Sequence, residues 1–266
     1  MKGYIKGFLK YRFLLQELVK KGIKLKYRRS YLGIIWSFIE PLLTTIVLTI
    51  VFSTILEKNI QAFPVYILTG RLLYSFFNQA TNAAMKSIRA NQSMIKKVYV
   101  PKYLYPLASC MYNYVIFLIS LIVLVGVSGI YISMGKIHLT SYAFLAIIPV
   151  INLFILAYGV GLILATISVF FRDMEYMWSV FVMIIMYASA IFYDANRMLQ
   201  ASDAWKGYLL KLNPLFCIIH NFRNCIYYGK MMSVHMLMYS FGFSIVCLIV
   251  GLVLFKKKQD KFILYI

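Results

Sequence analysis

Lys24-Leu-Lys-Tyr-Arg-Arg-Ser-Tyr-Leu-Gly-Ile-Ile-Trp-Ser-Phe-Ile-Glu-Pro-Leu42 decides the fold class of this 266-residue chain. A dense cationic segment passes without a linker into an apolar run that holds Trp36, Glu40 and Pro41. Cations beside an apolar run mark the cytoplasmic face of a membrane, and the run itself marks a first crossing.

Composition outward from this stretch agrees. With 62% hydrophobic and 14% charged residues and a mean hydropathy of +0.78, the chain has too little polar surface to cover a water-soluble globule. A net charge of +20 raises the question of nucleic acid. Here, however, Lys and Arg stand between long uncharged runs, the pattern of loops between spans, which excludes a nucleic-acid partner and leaves membrane lipids.

Crossing roughly 30 Å of hydrocarbon takes about 20 apolar residues. Runs near 32–56, 63–85, 103–135, 141–171, 176–193 and 231–255 predict an all-α integral membrane protein of six transmembrane helices. Segments 1–31, 86–102, 172–175 and 256–261 carry 20 Lys and Arg, whereas 57–62, 136–140 and 194–230 carry seven. The cation-rich set belongs inside, giving N-in and C-in topology. The loop Arg172-Asp173-Met174-Glu175 is the least clear, being net acidic. The expected division is an amphipathic interface segment at 1–31, a transmembrane domain at 32–256 and a cytoplasmic tail at 257–266. No cleavable signal peptide is expected at the start. Cys110 and Cys247 fall within spans, and Cys217 and Cys225 in the outer segment, where pairing stays open.

On a helical wheel Lys2, Lys6, Lys10, Glu17, Lys20, Lys21 and Lys24 share one arc, opposite Tyr4, Phe8, Tyr11, Leu15, Leu18 and Val19. This predicts a helix lying in the membrane interface, either as a topology anchor or as a cuff for a cytoplasmic subunit. In 86–102, Met94, Ile95, Val98 and Tyr99 form a short apolar stripe ended by Pro101. Two readings stand: a surface for a protein partner, or a helix packed on the chain's own spans. In 194–230, Ser202 is a candidate cap for a helix through about Leu212. Asn213 caps again, Pro214 takes the first helical position, and Gly229 marks an end. Two helices of such length are too short to span, so they are re-entrant or interfacial in the outer leaflet.

Enzyme motifs are missing from the sequence. There is no GxxxxGK[ST], HExxH or GxSxG, and His138, His220 and His235 lack metal spacing. No catalytic, metal or cofactor-binding residue is predicted.

Five strings carry a resemblance: Tyr27-Arg28-Arg29-Ser30-Tyr31-Leu32-Gly33-Ile34-Ile35-Trp36 with Pro41-Leu42 and Val51-Phe52, then Phe63-Pro64-Val65-Tyr66-Ile67-Leu68-Thr69-Gly70, then Met94-Ile95-Lys96-Lys97-Val98-Tyr99-Val100-Pro101, then Val169-Phe170-Phe171-Arg172-Asp173, then Leu212-Asn213-Pro214-Leu215. In this order the chain resembles type-2 ABC exporter permeases, which move polysaccharides, O-antigens and teichoic acids across the bacterial cytoplasmic membrane. The resemblance implies a homodimeric channel with two copies of a separate ATPase beneath it, and ATP and magnesium bound by that partner. It implies an interface helix ending at Tyr27, Arg28 and Arg29. It implies a coupling segment with Asn91, Met94, Ile95, Lys96, Lys97, Val98, Tyr99 and Pro101, and an outer gate with Asn213, Pro214 and Phe216.

A lipid-linked glycan is too large for one six-span chain to surround, which argues for two copies. Sugar faces slide over aromatic rings, so Trp36, Phe38, Tyr74, Phe76 and Phe77 are candidates for the path; core or lipid-facing packing is the plainer reading of each. Glu40, beside Pro41 and inside the first span, is expected to face the channel or a partner. Arg71 departs from the apolar residue that the resemblance implies. It meets a phosphate-bearing substrate, pairs with Glu40 or Asp194, or snorkels outward. Two other classes are weighed: an ABC-type permease for another amphipathic substrate, and a membrane-embedded glycan-processing enzyme, for which only Asp194 and Asp203 offer carboxylates.

Overall fold

The computed structural model describes residues 11–28, 30–55, 60–97, 100–138, 140–195, 207 and 210–265. The first ten residues, Arg29, Val98, Tyr99 and the expected helix from Ser202 lie outside these, apart from its last residues. All regular structure among the described residues is helical.

Helix α1, Arg12–Tyr27, lies against α5, Leu104–Ser133. Gly22 permits this approach: a Cβ there would lie 2.4 Å from the Tyr112 ring. A 3₁₀ turn at Gly33–Ile35 leads into α2, Trp36–Thr49, which continues as a π-turn over Ile50–Ile55. Helix α3, Phe63–Ala90, starts after Ala62 in the left-handed region, with Pro64 in its first turn. A six-residue helix, α4, Gln92–Lys97, precedes α5. A 3₁₀ turn at Ser141–Ala146 opens α6, Ile147–Phe170, and the shorter α7 follows at Met174–Tyr187. Helix α8 is Pro214–Ile226 and α9 is Val234–Lys258; after a 3₁₀ turn the chain closes with α10, Phe262–Tyr265.

Among the described residues four stretches are long and apolar enough to cross a membrane: Gly33–Phe52, Leu104–Ser133, Ser141–Phe170 and Val234–Tyr265. Helix α3 is long enough, at 28 residues or about 42 Å of rise, but it is not uniformly apolar. It is the central helix, packed on α2, α5, α6 and α8, and it buries Val65, Leu68, Leu72, Leu73, Phe76, Phe77, Ala80 and Ala84. Wrapped by protein, it needs no lipophilic surface all round. Helix α7, at 14 residues, is apolar but falls short of a full crossing.

Helices α6 and α9 pack through small residues. A Cβ on Gly159 would stand 2.6 Å from the Leu248 nitrogen, and one on Gly251 2.7 Å from the Gly159 carbonyl oxygen. Such close approach is how helices associate where lipid removes the hydrophobic drive. Asn152 Nδ2 donates to Ser240 Oγ across the same seam at 2.9 Å.

The loops gather at two ends. At one, Glu175 at the start of α7 pairs with Arg89 and, at 3.3 Å, with Lys86, both near the end of α3. Lys102 Nζ donates to the Gln259 carbonyl there at 2.6 Å. At the other, Tyr227 donates to the Gln61 carbonyl, and Thr140 Oγ1 donates to the Gly229 carbonyl at 3.2 Å.

Candidate functional site

Arg71, Ser75, Gln79, Asn82 and Lys86 recur on α3 at intervals of three and four, which puts them on one face. Over 15 positions this stripe rises about 22 Å, most of the depth of a hydrocarbon core. The opposite face of α3 is the buried one, so the helix divides into a core side and a polar side.

The polar side forms a groove with α1, α2 and α5. Its inner part is a pocket of about 50 Å³ lined by Lys26, Ser37, Glu40, Pro41, Thr44, Arg71, Ser75, Phe76, Gln79, Asn113 and Ser120, among others. A wider cleft of about 720 Å³ adjoins it, sharing Lys26, Glu40, Gln79 and Asn113 and adding Lys21, Asn82, Lys86, Ser109 and Tyr112. Lys26 Nζ donates to Gln79 Oε1 at 2.6 Å, and Gln79 Nε2 donates to Ser75 Oγ at 3.0 Å. Part of the Lys26 side chain stays exposed, but its ammonium loses water inside the groove. That desolvation lowers its pKa, and the nearby Glu40 carboxylate offsets part of the shift.

Sequence expectations divide here. Glu40, Pro41, Arg71 and Phe76 come together at the pocket. Glu40 is exposed on its helix, and no ion pair joins it to Arg71 among the described residues. Tyr74 instead donates to the Val182 carbonyl of α7 at 3.2 Å, and Phe77 packs on Trp178. Phe76, at the pocket wall, stacks with Phe117 and meets Tyr114 edge-on. Phe38 packs against the core, and Trp36 is exposed at the start of α2. Lys26, Ser75, Gln79, Asn82 and Asn113 were not singled out from the sequence. For Ser75, Gln79 and Asn82 the signal was the 4-4-3-4 spacing from Arg71 to Lys86, which counting hydropathy along the span hides; Lys26 and Asn113 join them only through the packing of α1 and α5.

In the segment 86–102, Ile95 is buried with Ile88, Tyr105, Phe255 and Phe262, and Met94 packs half-buried beside them. Asn91 Nδ2 donates to the Ser87 carbonyl at 2.8 Å, and Pro101 accepts from Leu104 N at 3.1 Å. Lys96 and Lys97 point outward with Gln92 and Ser93. Tyr27 and Arg28 line a surface recess with Lys20, Lys24 and Gly33.

In the segment 194–230 Asn213 Oδ1 accepts from Leu215 N at 3.0 Å, so Asn213 caps α8 with Pro214 in the first turn. Phe216 is fully buried against Ala190, Leu210 and Met236. All four cysteines are free thiols. Sequence reasoning also missed Arg223, completely buried in α8. Its Nη1 donates to Tyr66 Oη at 2.9 Å and to the Ala190 carbonyl at 2.7 Å. Its Nη2 donates to the Tyr66 and Ile191 carbonyls at 3.2 and 3.3 Å. The guanidinium also lies 3.7 Å from the Tyr66 ring centroid. Ala190, gripped at its carbonyl, adopts the left-handed conformation, φ +47°. A single Arg in a helix with no Asp, Glu or Lys was the available signal.

Residues 14–227 match the ABC-2 type transporter family. The chain is similar to an O-antigen export system permease protein RfbA of Klebsiella pneumoniae, 28% identical over 94% of this chain and 93% of that one. An RfbA of Myxococcus xanthus is 25% identical over 97% of both chains. The polysialic acid transport protein KpsM of Escherichia coli is 24% identical over 96% of both. With the match spanning most of the chain, and an all-helical bundle holding several membrane-length apolar helices, this protein belongs to the ABC-2 type transporter family.

Proposed function

We propose that this chain is the permease subunit of an ATP-driven exporter that carries a lipid-linked polysaccharide to the outer side of the bacterial cytoplasmic membrane. Membership of the ABC-2 family implies partnership with an ABC ATPase, and the chain is a transport subunit rather than an enzyme. ATP and magnesium belong to that ATPase. Relatives named for O-antigen and capsule export support a cell-surface glycan as cargo, and a teichoic acid-type polymer has the same physical demands.

The observation that carries the reading is the polar stripe from Arg71 to Lys86, which gives a membrane-deep groove with hydroxyl, amide and charged groups at each helical turn. A polyhydroxylated chain can exchange hydrogen bonds along such a ladder without one tight site. Six crossings follow if α3 and α7 complete the set of α2, α5, α6 and α9. The contacts of Glu175 with Lys86 and Arg89, and of Lys102 with Gln259, support grouping the cationic loops on the inside, with both termini there. In that arrangement α8 belongs to an outer gate. Leu43, Ile46 and Val47 of α2, and Val180, Phe181 and Ile184 of α7, are exposed, which supports a second copy closing the path. The outward side of α4, with Lys96 and Lys97, is the proposed contact with the ATPase.

Depleting the chain in its native cell should cause a lipid-linked glycan to accumulate on the inside, read by mass spectrometry of the lipid extract, and the tagged chain should co-purify with an ABC ATPase. No accumulation together with no co-purifying ATPase would sink the proposal.

A further inference from the structure

The stripe on α3 holds a charge that hydrogen bonding to neutral sugars leaves unused. Arg71 lies about 12 Å of helical rise from the start of α3, deeper than a loop residue. It makes no hydrogen bond or ion pair to another described residue. Ionisable residues at such depth face a water-filled cavity or a substrate path, and Arg71 lines the inner pocket of the groove.

The neighbouring polar groups already serve one another. Thr44 Oγ1 donates to the Glu40 carbonyl at 2.8 Å, Ser120 Oγ to the Ser37 carbonyl at 3.0 Å, and Gln79 Nε2 to Ser75 Oγ at 3.0 Å. What remains is donor capacity: the five N–H groups of Arg71, and the hydrogens of the Lys26 ammonium not given to Gln79. Among the described residues Glu40 is the one carboxylate lining the pocket, together with the cations Lys26 and Arg71. Lys86, which shares the single Glu175 carboxylate with Arg89, lies further along the cleft and outside the inner pocket.

We infer that this groove takes the negatively charged groups of an anionic glycan, phosphodiester or carboxylate, with Arg71 as the inner contact and Lys26 as the contact nearer α1. Arg71 offers the planar fork that fits both kinds of anion, and Lys26 offers a point charge. Glu40 keeps the hold weak, as passage requires. The inference rests on the proposal that a glycan travels along α3. A lipid diphosphate headgroup presents the same chemistry, so the test separates the two sources.

The complex of this chain with its ATPase, reconstituted in proteoliposomes, is titrated for ATP turnover with three probes: glycerol-phosphate oligomers, neutral dextran oligomers of equal length, and undecaprenyl diphosphate in the bilayer. Glycerol-phosphate oligomers should act at lower concentration than dextran. Their half-saturating concentration should rise about tenfold in Arg71→Gln, the scale of losing a charge-assisted hydrogen bond. Arg71→Lys should recover most of that loss. Because Arg71 has no hydrogen bond or ion pair to another described residue, the Arg71→Gln complex should elute as the wild type does. If Arg71→Gln shifts the response to undecaprenyl diphosphate alone, the anion belongs to the headgroup and the glycan assignment is overturned. Equal responses to dextran and glycerol-phosphate, or equal responses of wild type and Arg71→Gln to all probes, overturn the anion site. The transport reading fails separately, by the depletion experiment; a wholly neutral glycan accumulating there would overturn the anionic cargo alone.

Discussion

The hydroxyl of Ser120 on α5 donates to the carbonyl of Ser37 on α2 at 3.0 Å. Ser37 stands four residues before Pro41, whose ring nitrogen has no hydrogen to give, so this carbonyl has lost its helical partner. Helix α5 supplies the missing donor at a depth where lipid could supply none. The same contact fixes the wall of the groove that carries Glu40.

Ser120→Ala should therefore destabilise the solubilised protein by about 1–2 kcal/mol, the cost of an unsatisfied buried carbonyl. In a Pro41→Ala background the helical N–H returns and most of that cost should vanish. Thermal unfolding in detergent across the four variants measures the coupling; equal costs in both backgrounds would show that the Ser37 carbonyl does not depend on Ser120.

Arg223 bridges three separate elements, the start of α3, the turn after α7 and α8 itself. Arg223→Ala should cost about 3 kcal/mol or more, since several buried acceptors and a cation–π contact lose their partner together. Gly70→Ala should act on the same joint, because its Cβ would lie 2.5 Å from Arg223 Nη2. Proteolysis of the segment 194–230 after each substitution reads the effect. Protection equal to wild type in both would contradict the bridging role.

At the seam of α6 and α9, Gly159→Ala should cost about 1–3 kcal/mol by overpacking against the Leu248 backbone. Gly126→Ala on α5 meets open space within 4 Å and should be neutral or slightly stabilising. Melting temperatures of the two variants, compared in one detergent, test whether close approach rather than helix propensity explains Gly159.

Helix α4 carries two different faces. Ile95→Asp should lower stability by several kcal/mol, about what an unpaired carboxylate in an apolar cluster costs. Lys96→Glu with Lys97→Glu should leave the melting temperature within about 0.5 kcal/mol of wild type, as solvent-facing changes do. If the outward face meets the ATPase, that pair should still reduce co-purification. Intact binding by the charge-reversed variant would move the contact elsewhere.

Part of the site was legible in the residues. Pro41 after Glu40 announced a freed carbonyl, and Asn213-Pro214 announced a capped helix; both are local, set by ring chemistry and side-chain reach. The aromatics were not legible. Tyr74, Phe76 and Phe77 look alike in an apolar run, and which neighbour each meets depends on α5 and α7, far away in sequence. The stripe of Met94 and Ile95 fits a partner surface and packing on the chain's own spans equally well, and the cover that Phe255 and Phe262 give Ile95 comes from residues far away in sequence.

By itself the sequence determined that this chain is helical and membrane-embedded, because the length and apolarity of its runs and the placement of its cations are one-dimensional quantities that lipid and water read directly. Only the tertiary structure decided that α3 is the central helix, with its polar stripe turned to a groove, and that Arg223 sits in a cage of carbonyls. The reason is physical: a polar group in a membrane is tolerated according to what faces it, and that partner comes from elements distant in sequence.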